Sequence, residues 1–295
     1  MKIGIFSNEY QKKEIIEKVF GILSAHKTEI YLQKDFYKYL SSCIKMDERS
    51  IQIIEDVNPV LDMVFSIGGD GTFLRTVSAL QSTKIPILGI NTGRLGFLAD
   101  ISAKEIDTTL SEILRGEYSV ERRSQIELNI ANTDNCVDHA LNDIAVLKQD
   151  LASMITITMY INGELLSTYE ADGLIVATPT GSTAYSMSVG GAILAPDTPN
   201  FIISAIAPHS LTSRPLVVGD DNVLTMEVKS RSSSFLISVD GRSRIIPIEE
   251  GRVLTIQKSQ NPVYIVKRLG HTFYGTLRNK LKWGTDPRQE TQGFI

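Results

Sequence analysis

The segment Leu61-Asp62-Met63-Val64-Phe65-Ser66-Ile67-Gly68-Gly69-Asp70-Gly71-Thr72 decides the fold of the first part of this chain. Leu61 to Ile67 is an apolar run of strand length, and it stops abruptly at Gly68-Gly69-Asp70-Gly71. Thr72 to Leu80 has helical texture, and Ile85 to Ile90 is a further apolar run ending in the turn Asn91-Thr92-Gly93. Strand, glycine turn, helix, strand is the pattern of βαβ units and a parallel sheet. Upstream, Lys2 to Ser7 reads as another strand, and Ile15, Ile16, Val19, Phe20, Ile22 and Leu23 recur at helical spacing. In such sheets ligands bind beyond the carboxyl ends of the strands, where both turns fall.

The texture changes after about residue 124. Ile126-Glu127-Leu128-Asn129-Ile130 alternates strictly, as does much of Met154 to Ile161. Strand-like runs follow at Leu174–Ala177, Phe201–Ala207, Asn222–Val228, Phe235–Val239, Val253–Gln257 and Val263–Lys267, punctuated by Asn162-Gly163, Asp240-Gly241 and Glu250-Gly251. Closely spaced strands with little helix imply a β-sandwich-like domain. The expected architecture is α/β plus all-β. A Rossmann-like parallel-sheet domain occupies 1–120, a β-rich domain 121–268, and a tail at 269–295 packs back on the α/β domain. Ile101 to Tyr118 has helical texture and joins the two domains. The tail from His271 shows no strand pattern.

Composition narrows the function. The chain has 295 residues, 30 Lys+Arg against 34 Asp+Glu, and 42% hydrophobic residues. This balance suits a globular protein and argues against a nucleic-acid partner, which normally selects a basic excess. The two cysteines, Cys43 and Cys136, form neither a disulfide framework nor a metal-ligand spacing. His26, His139, His209 and His271 show no ligand spacing either, so no metal-ligating set is predicted. No apolar window of about 20 residues exists to span a membrane. The first residues, Met1 to Phe6, run into a strand rather than a cleavable signal, and a cytoplasmic location is expected.

The chemistry concentrates in the turns. The glycines of Gly68–Thr72 let the backbone approach a phosphate, and the N-terminus of the following helix adds partial positive charge. Asp70 is a lone carboxylate in this cradle. It suits the role of proton acceptor for an attacking hydroxyl or of an indirect ligand to Mg²⁺; the alternative is a tight turn in which Asp caps the helix. The segment lacks the P-loop spacing, and Leu74 stands where a dinucleotide-binding Gly-x-Gly-x-x-Gly would need its third glycine. A second signal is Asp172 to Ser186, in which a strand runs into Thr180, Ser182, Thr183 and Ser186, with Tyr185 offering a ring for a base to stack on. Asn142-Asp143 places an amide and a carboxylate at the head of an apolar strand, a feature that taken alone is more often a turn than a site.

Occurring together and in this order, these segments closely resemble the NAD kinase family, ATP-dependent enzymes that phosphorylate the 2′-hydroxyl of the adenosine ribose of NAD. The likeness is densest at Gly68–Thr72, Asn91-Thr92-Gly93-Arg94-Leu95-Gly96-Phe97-Leu98, Asn142-Asp143 and Asp172–Gly191. Gly-Gly-Asp-Gly alone is shared with phosphofructokinases and with diacylglycerol and sphingosine kinases. The resemblance implies that Asp70 is the general base and that Gly68, Gly69, Gly71 and Thr72 form the phosphate cradle. It also implies that Asp70, Gly71, Arg75, Asn142, Asp143, Ser153, Glu170, Asp172, Thr183, Ala184, Tyr185, Ser186, Met187, Ser188, Ala207 and Arg242 contact NAD. Asp143 departs from the family, which commonly has Glu there, and its reach is shorter by one methylene. ATP as phosphoryl donor, a divalent cation such as Mg²⁺ and a homodimer or homotetramer with sites completed by a neighbouring subunit are further implications. A lipid or sugar kinase sharing Gly-Gly-Asp-Gly, and a non-catalytic NAD or NADP sensor, are the alternative readings.

Overall fold

The chain divides into two units, Met1–Glu121 together with the returning segment from Tyr264, and Arg122–Val263. The structure, a computed structural model, describes residues 1–8, 12–43, 51–54, 61–81, 83–93, 96–132, 137–150 and 153–283. Cys136 and Arg94-Leu95 fall outside these residues.

The first unit begins with strands β1 (Lys2–Ser7), β2 (Glu29–Gln33) and β3 (Ile51–Ile54) and helices α1 (Lys13–Ala25) and α2 (Lys34–Cys43). Then come β4 (Met63–Ile67), α3 (Asp70–Ala79), β5 (Ile87–Ile90), α4 (Ile106–Leu114) and β6 (Tyr118–Arg123). The pairs β1–β2, β2–β3, β1–β4 and β4–β5 are all parallel. Every residue of β4 and β5 is buried, which explains why both are apolar but for Ser66 of β4: helices cover both faces of a parallel sheet. On one face Ile15, Val19 and Leu23 of α1, Phe36 and Leu40 of α2, and Ile106, Leu110 and Ile113 of α4 pack with Ile3, Ile5, Phe65 and Leu88. On the other lies α3, whose Thr76 hydroxyl donates to Ser66 Oγ at 3.0 Å.

The second unit contains β7 (Ile126–Ile130), β8 (Asp138–Ala140), β9 (Asp143–Lys148), β10 (Ile155–Ile161), β11 (Glu164–Ala171) and β12 (Gly173–Ala177). After a 3₁₀ turn at Thr180–Thr183 and the short helix α5 (Tyr185–Ser188) come β13 (Asn200–Ile206), β14 (Leu216–Gly219), β15 (Leu224–Lys229), β16 (Ser234–Val239), β17 (Arg242–Pro247) and β18 (Val253–Lys258). They form two six-stranded sheets, ordered β11-β10-β15-β18-β7-β8 and β14-β13-β12-β9-β16-β17. Alternate residues of both, such as Ile126, Leu128, Ile157 and Leu254 against Val146, Val176, Phe201 and Phe235, share one core, as in a sandwich. Ala145, Ile175, Ala177 and Ile202 form a smaller cluster on the other face of the second sheet, under Val189 and Leu194. That is why β9 and β12 lose the polar alternation. The hairpin turns sit where glycine tolerates left-handed backbone, with φ of 49° and 78° at Asp240-Gly241.

The chain then returns to the first sheet. β19 (Val263–Arg268) runs parallel to β5, pairing Ile265 with Ile87, and completes the order β3-β2-β1-β4-β5-β19-β6. The reading from sequence places this strand at the end of the β-rich domain; the structure places it in the first unit. Beyond it the segment after His271 contains helix α6 (Phe273–Leu281), capped by the Thr272 hydroxyl accepting from Gly275 N at 3.1 Å.

Candidate functional site

In the first unit the glycine turn leaves β4 at Gly68, whose N–H donates to the Ile90 carbonyl at 2.8 Å. A Cβ on Gly68, at φ +155°, would lie 2.7 Å from Thr72 Cβ, so only glycine fits here. Gly69 and Gly71 are exposed, and a Cβ on either would meet nothing within 4 Å. This opening lies at the N-terminus of α3, where an anion is favoured, although Thr72 N and Phe73 N already donate to the Gly69 carbonyl at 2.9 and 3.1 Å. The helix cap is Gly69, which has no side chain to cap with. Asp70 is thus not the cap that a plain turn would make it.

Its carboxylate instead reaches the segment after Asn91-Thr92-Gly93. Oδ2 accepts from Phe97 N at 2.9 Å, and Oδ1 accepts from Leu98 N at 3.1 Å and Ala99 N at 3.0 Å. Gly96 permits the approach: a Cβ there would overlap Oδ1 and sit 2.7 Å from Asp70 Cγ. Buried Asn91 shapes the same loop, donating from Nδ2 to the Ala99 carbonyl at 3.1 Å and accepting from Gly93 N at 2.6 Å. The next residue, Asp100, is buried and paired with buried Lys267 of β19 at 2.6 Å. Lys280 of α6 completes the group, its Nζ 3.7 Å from Asp70 Oδ2 and 4.2 Å from the centroid of the Phe97 ring. Arg75 is exposed and donates to Thr72 Oγ1 at 3.3 Å.

In the second unit the structure brings two of the sequence signals together. Asn142 and Asp143 head β9, beside the end of β12, where Asp143 pairs with Ala177. Thr178 N donates to the Asn142 carbonyl at 2.9 Å, and Thr178 Oγ1 donates to the Leu141 carbonyl at 2.5 Å. A Cβ on Gly181 would overlap the Asn142 carbonyl. Thr183, Ala184, Tyr185, Ser186, Met187 and Ser188 follow directly on this turn. The Asp240 carboxylate, absent from the residues predicted from sequence, accepts from the amides of Leu141 at 2.8 Å, Asn142 at 2.7 Å and Asp143 at 3.2 Å. Arg242 stands two residues on, at the exposed start of β17.

This cluster is electrostatically unusual. Burial, and then the charge of Asp240, push the Asp143 carboxyl up to about 7. Asp240 is itself raised by burial, against the lowering effect of its three amide bonds and of Arg242. A carboxyl raised in this way is able to donate a hydrogen bond when protonated and to accept when ionised. Asn142 Oδ1, Thr180 Oγ1 and Ser186 Oγ are buried with no hydrogen-bond partner. Such atoms each cost about 1–3 kcal/mol until a donor or acceptor reaches them.

The remaining predicted residues lie at the other end of β12. Asp172 pairs with Lys148 at 2.6 Å, and its N–H donates to the Ile206 carbonyl at 2.9 Å, next to Ala207. Glu170 accepts from His209 N at 2.8 Å through its carbonyl. Ser153 and Glu170 line a cavity of about 450 Å³ with Lys229 and Arg231. Asp172 and Thr178 flank the whole strand, about 20 Å apart at 3.4 Å per residue.

Known proteins share this organisation. Residues 3–118 match the ATP-NAD kinase N-terminal domain and residues 141–268 the ATP-NAD kinase C-terminal domain. The chain is 45% identical to the NAD kinase of Bacteroides fragilis over 98% of its length and all of the relative. It is 39% identical to that of Flavobacterium johnsoniae over the same shares. Among solved structures, yeast NADH kinase complexed with NADH superposes with a TM-score of 0.85 at 24% identity, covering 97% of this chain and 88% of that one. An Archaeoglobus fulgidus NAD kinase in complex with ATP superposes at 0.75 and 24% identity, covering 96% and 99%. These structures share the fold, and with the sequence relatives and both domain matches they lead to one conclusion: the chain belongs to the NAD kinase family.

Proposed function

We propose that this chain transfers the γ-phosphoryl group of ATP to the 2′-hydroxyl of the adenosine ribose of NAD, forming NADP, with Asp70 as general base. The observation that carries the reading is the Asp70 carboxylate itself. It stands a third exposed at the opening of a glycine turn, fixed by three backbone amides rather than spent on capping its helix. A ribose hydroxyl is a weak acid, so its proton passes to a carboxylate oxygen as the new O–P bond forms; the bond from Pγ to the bridging oxygen breaks, and ADP departs with the electron pair. The cradle of Gly68, Gly69, Gly71 and Thr72 holds phosphate oxygens, through those of its groups other than the Gly68 and Thr72 amides, which already donate to the Ile90 and Gly69 carbonyls.

Asn142 and Asp143 hold the adenosine portion of NAD, and Thr183 to Ser188 wrap the dinucleotide. The unpartnered Asn142 Oδ1, Thr180 Oγ1 and Ser186 Oγ support this, because a bound ligand supplies the missing partners. Ser153, Glu170, Asp172 and Ala207 gather at the opposite end of β12. That separation favours a homodimer or homotetramer in which they serve NAD bound to a neighbouring copy. Arg75 and Arg242 are assigned to NAD only by the resemblance. For the divalent cation, no three His, Cys, Asp or Glu converge among the described residues, and both Asp70 oxygens already accept amides. Among the described residues no cage forms, so a divalent cation would be held chiefly by the phosphates of ATP, whose charge it would offset.

The test is NADP formation from NAD, ATP and Mg²⁺, read through an NADP-specific dehydrogenase. NADP production supports the reading. NAD binding without turnover points to a sensor, and phosphorylation of diacylglycerol or a sugar phosphate instead of NAD points to the other Gly-Gly-Asp-Gly kinases.

A further inference from the structure

Lys280 has no place in the residues that the family resemblance supplies, and it arrives from the far end of the chain. Helix α6 is fixed by the Thr272 cap at its start and by buried Leu277 in its middle. One turn later the Lys280 side chain crosses the Phe97 ring and ends 3.7 Å from Asp70 Oδ2, with about 30% of it exposed. Two bland accounts fall short. A pair this exposed adds little stability, and Asp70 already has three amide donors. A lysine near a helix C-terminus also favours the helix dipole, but that role needs no particular direction of the ammonium.

We infer that Lys280 is a catalytic residue whose ammonium contacts the transferring phosphoryl oxygens of the nucleoside triphosphate. The inference rests on the reading of Asp70 as base. A hydroxyl giving its proton to Asp70 lies about 2.6–3.2 Å from a carboxylate oxygen, and its oxygen about 3–3.5 Å from the phosphorus it attacks. An ammonium 3.7 Å from the same carboxylate is then within a small swing of its four-carbon stem of the phosphoryl oxygens. Charge follows the same course. As Asp70 takes the proton it loses its negative charge, and its ion-pair partner is released while the phosphoryl group in transfer needs a cation. Lys280 keeps its own protons throughout; it stabilises charge as Pγ leaves ADP for the ribose oxygen. With no cage of carboxylates among the described residues, a protein cation beside Asp70 supplies charge that bound metal alone leaves to the nucleotide.

The experiment compares wild type, Lys280→Met and Lys280→Arg in the full chain by kcat, KM for ATP, calorimetric NAD affinity and thermal melting. We expect Lys280→Met to lose about 10²–10³-fold in kcat, with NAD affinity within about twofold and melting unchanged, and Lys280→Arg to recover at least about tenfold of the loss. A Lys280→Met enzyme within about threefold of wild type overturns the inference. So does an arginine variant no better than methionine, or a loss that merely tracks a lower melting temperature. Absence of NADP formation by wild type overturns the underlying reading of the function, and a Lys280 effect confined to variants of an active wild type separates the two.

Discussion

Gly96→Ala tests whether the 96–99 loop holds Asp70. The backbone at Gly96 is open to any residue, so the effect is purely steric. The new methyl would overlap Asp70 Oδ1 and lie 2.7 Å from Cγ and 2.9 Å from Oδ2. Ordinary carbon contacts begin near 3.5 Å, so relief takes a shift of about 1 Å. The three amide bonds, at 2.9–3.1 Å, tolerate much less than that. The loop cannot yield instead without carrying those amides away, because Gly96 N is itself bonded to the Ala99 carbonyl at 3.0 Å. Three hydrogen bonds to a charged group are worth about 1.5–3 kcal/mol each. The carboxylate is a third exposed and recovers much of this from water, which leaves a net loss of about 2–4 kcal/mol. At roughly 2–4 °C per kcal/mol, melting falls by at least about 4 °C. Turnover falls about 10²-fold, since a 1 Å displacement of a catalytic group costs that much. Gly21→Ala, within α1 and with nothing near its Cβ, is the control and should stabilise by about 0.5–1 kcal/mol. A Gly96→Ala enzyme with wild-type melting and wild-type kcat would refute the clamp.

Two further predictions concern the second unit. The folded-state value of about 7 for Asp143 exceeds its ordinary 3.8, so the folded state binds the extra proton and wild-type stability falls as pH rises from about 4 to about 7. Asp143→Asn removes that loss: urea midpoints should favour the variant more at pH 8 than at pH 4.5, and an equal difference at both would contradict the assignment. Gly181→Ala drives a methyl into the Asn142 backbone and separates the Thr178–Gly181 turn from β9. We expect about 3 kcal/mol lost in denaturant unfolding and at least tenfold weaker NAD binding by calorimetry; wild-type affinity would contradict the proposed adenosine site.

The legible parts of the fold were those whose burial writes a period. β4 and β5 are buried on both faces and read as apolar runs; β7 and β10 have one buried face and alternate. The strands of the β-rich part that left no mark are β8, β11, β14 and β17, which are the four edges of its two sheets. β17 is mostly exposed and β11 half exposed, and nothing obliges an exposed edge to alternate. The apolar run of β19 is plain, but its partner Ile87 is remote in sequence, and periodicity does not say which sheet a strand joins. The same limit applies to the site. Asp70 announces itself because glycines surround it. Asp240 looks like an ordinary hairpin residue and Lys280 like part of a patternless tail, because each acts on groups far along the chain.

The central claim is that Asp70 accepts the proton of the ribose hydroxyl, and Asp70→Asn tests it most directly. The amide keeps the size of the side chain and an oxygen for the loop amides but cannot take the proton. Steady-state NADP formation and calorimetric NAD binding, measured on wild type and variant, should show kcat reduced by at least about 10²-fold with NAD affinity within about twofold. An Asp70→Asn enzyme that turns over within about threefold of wild type would contradict the account.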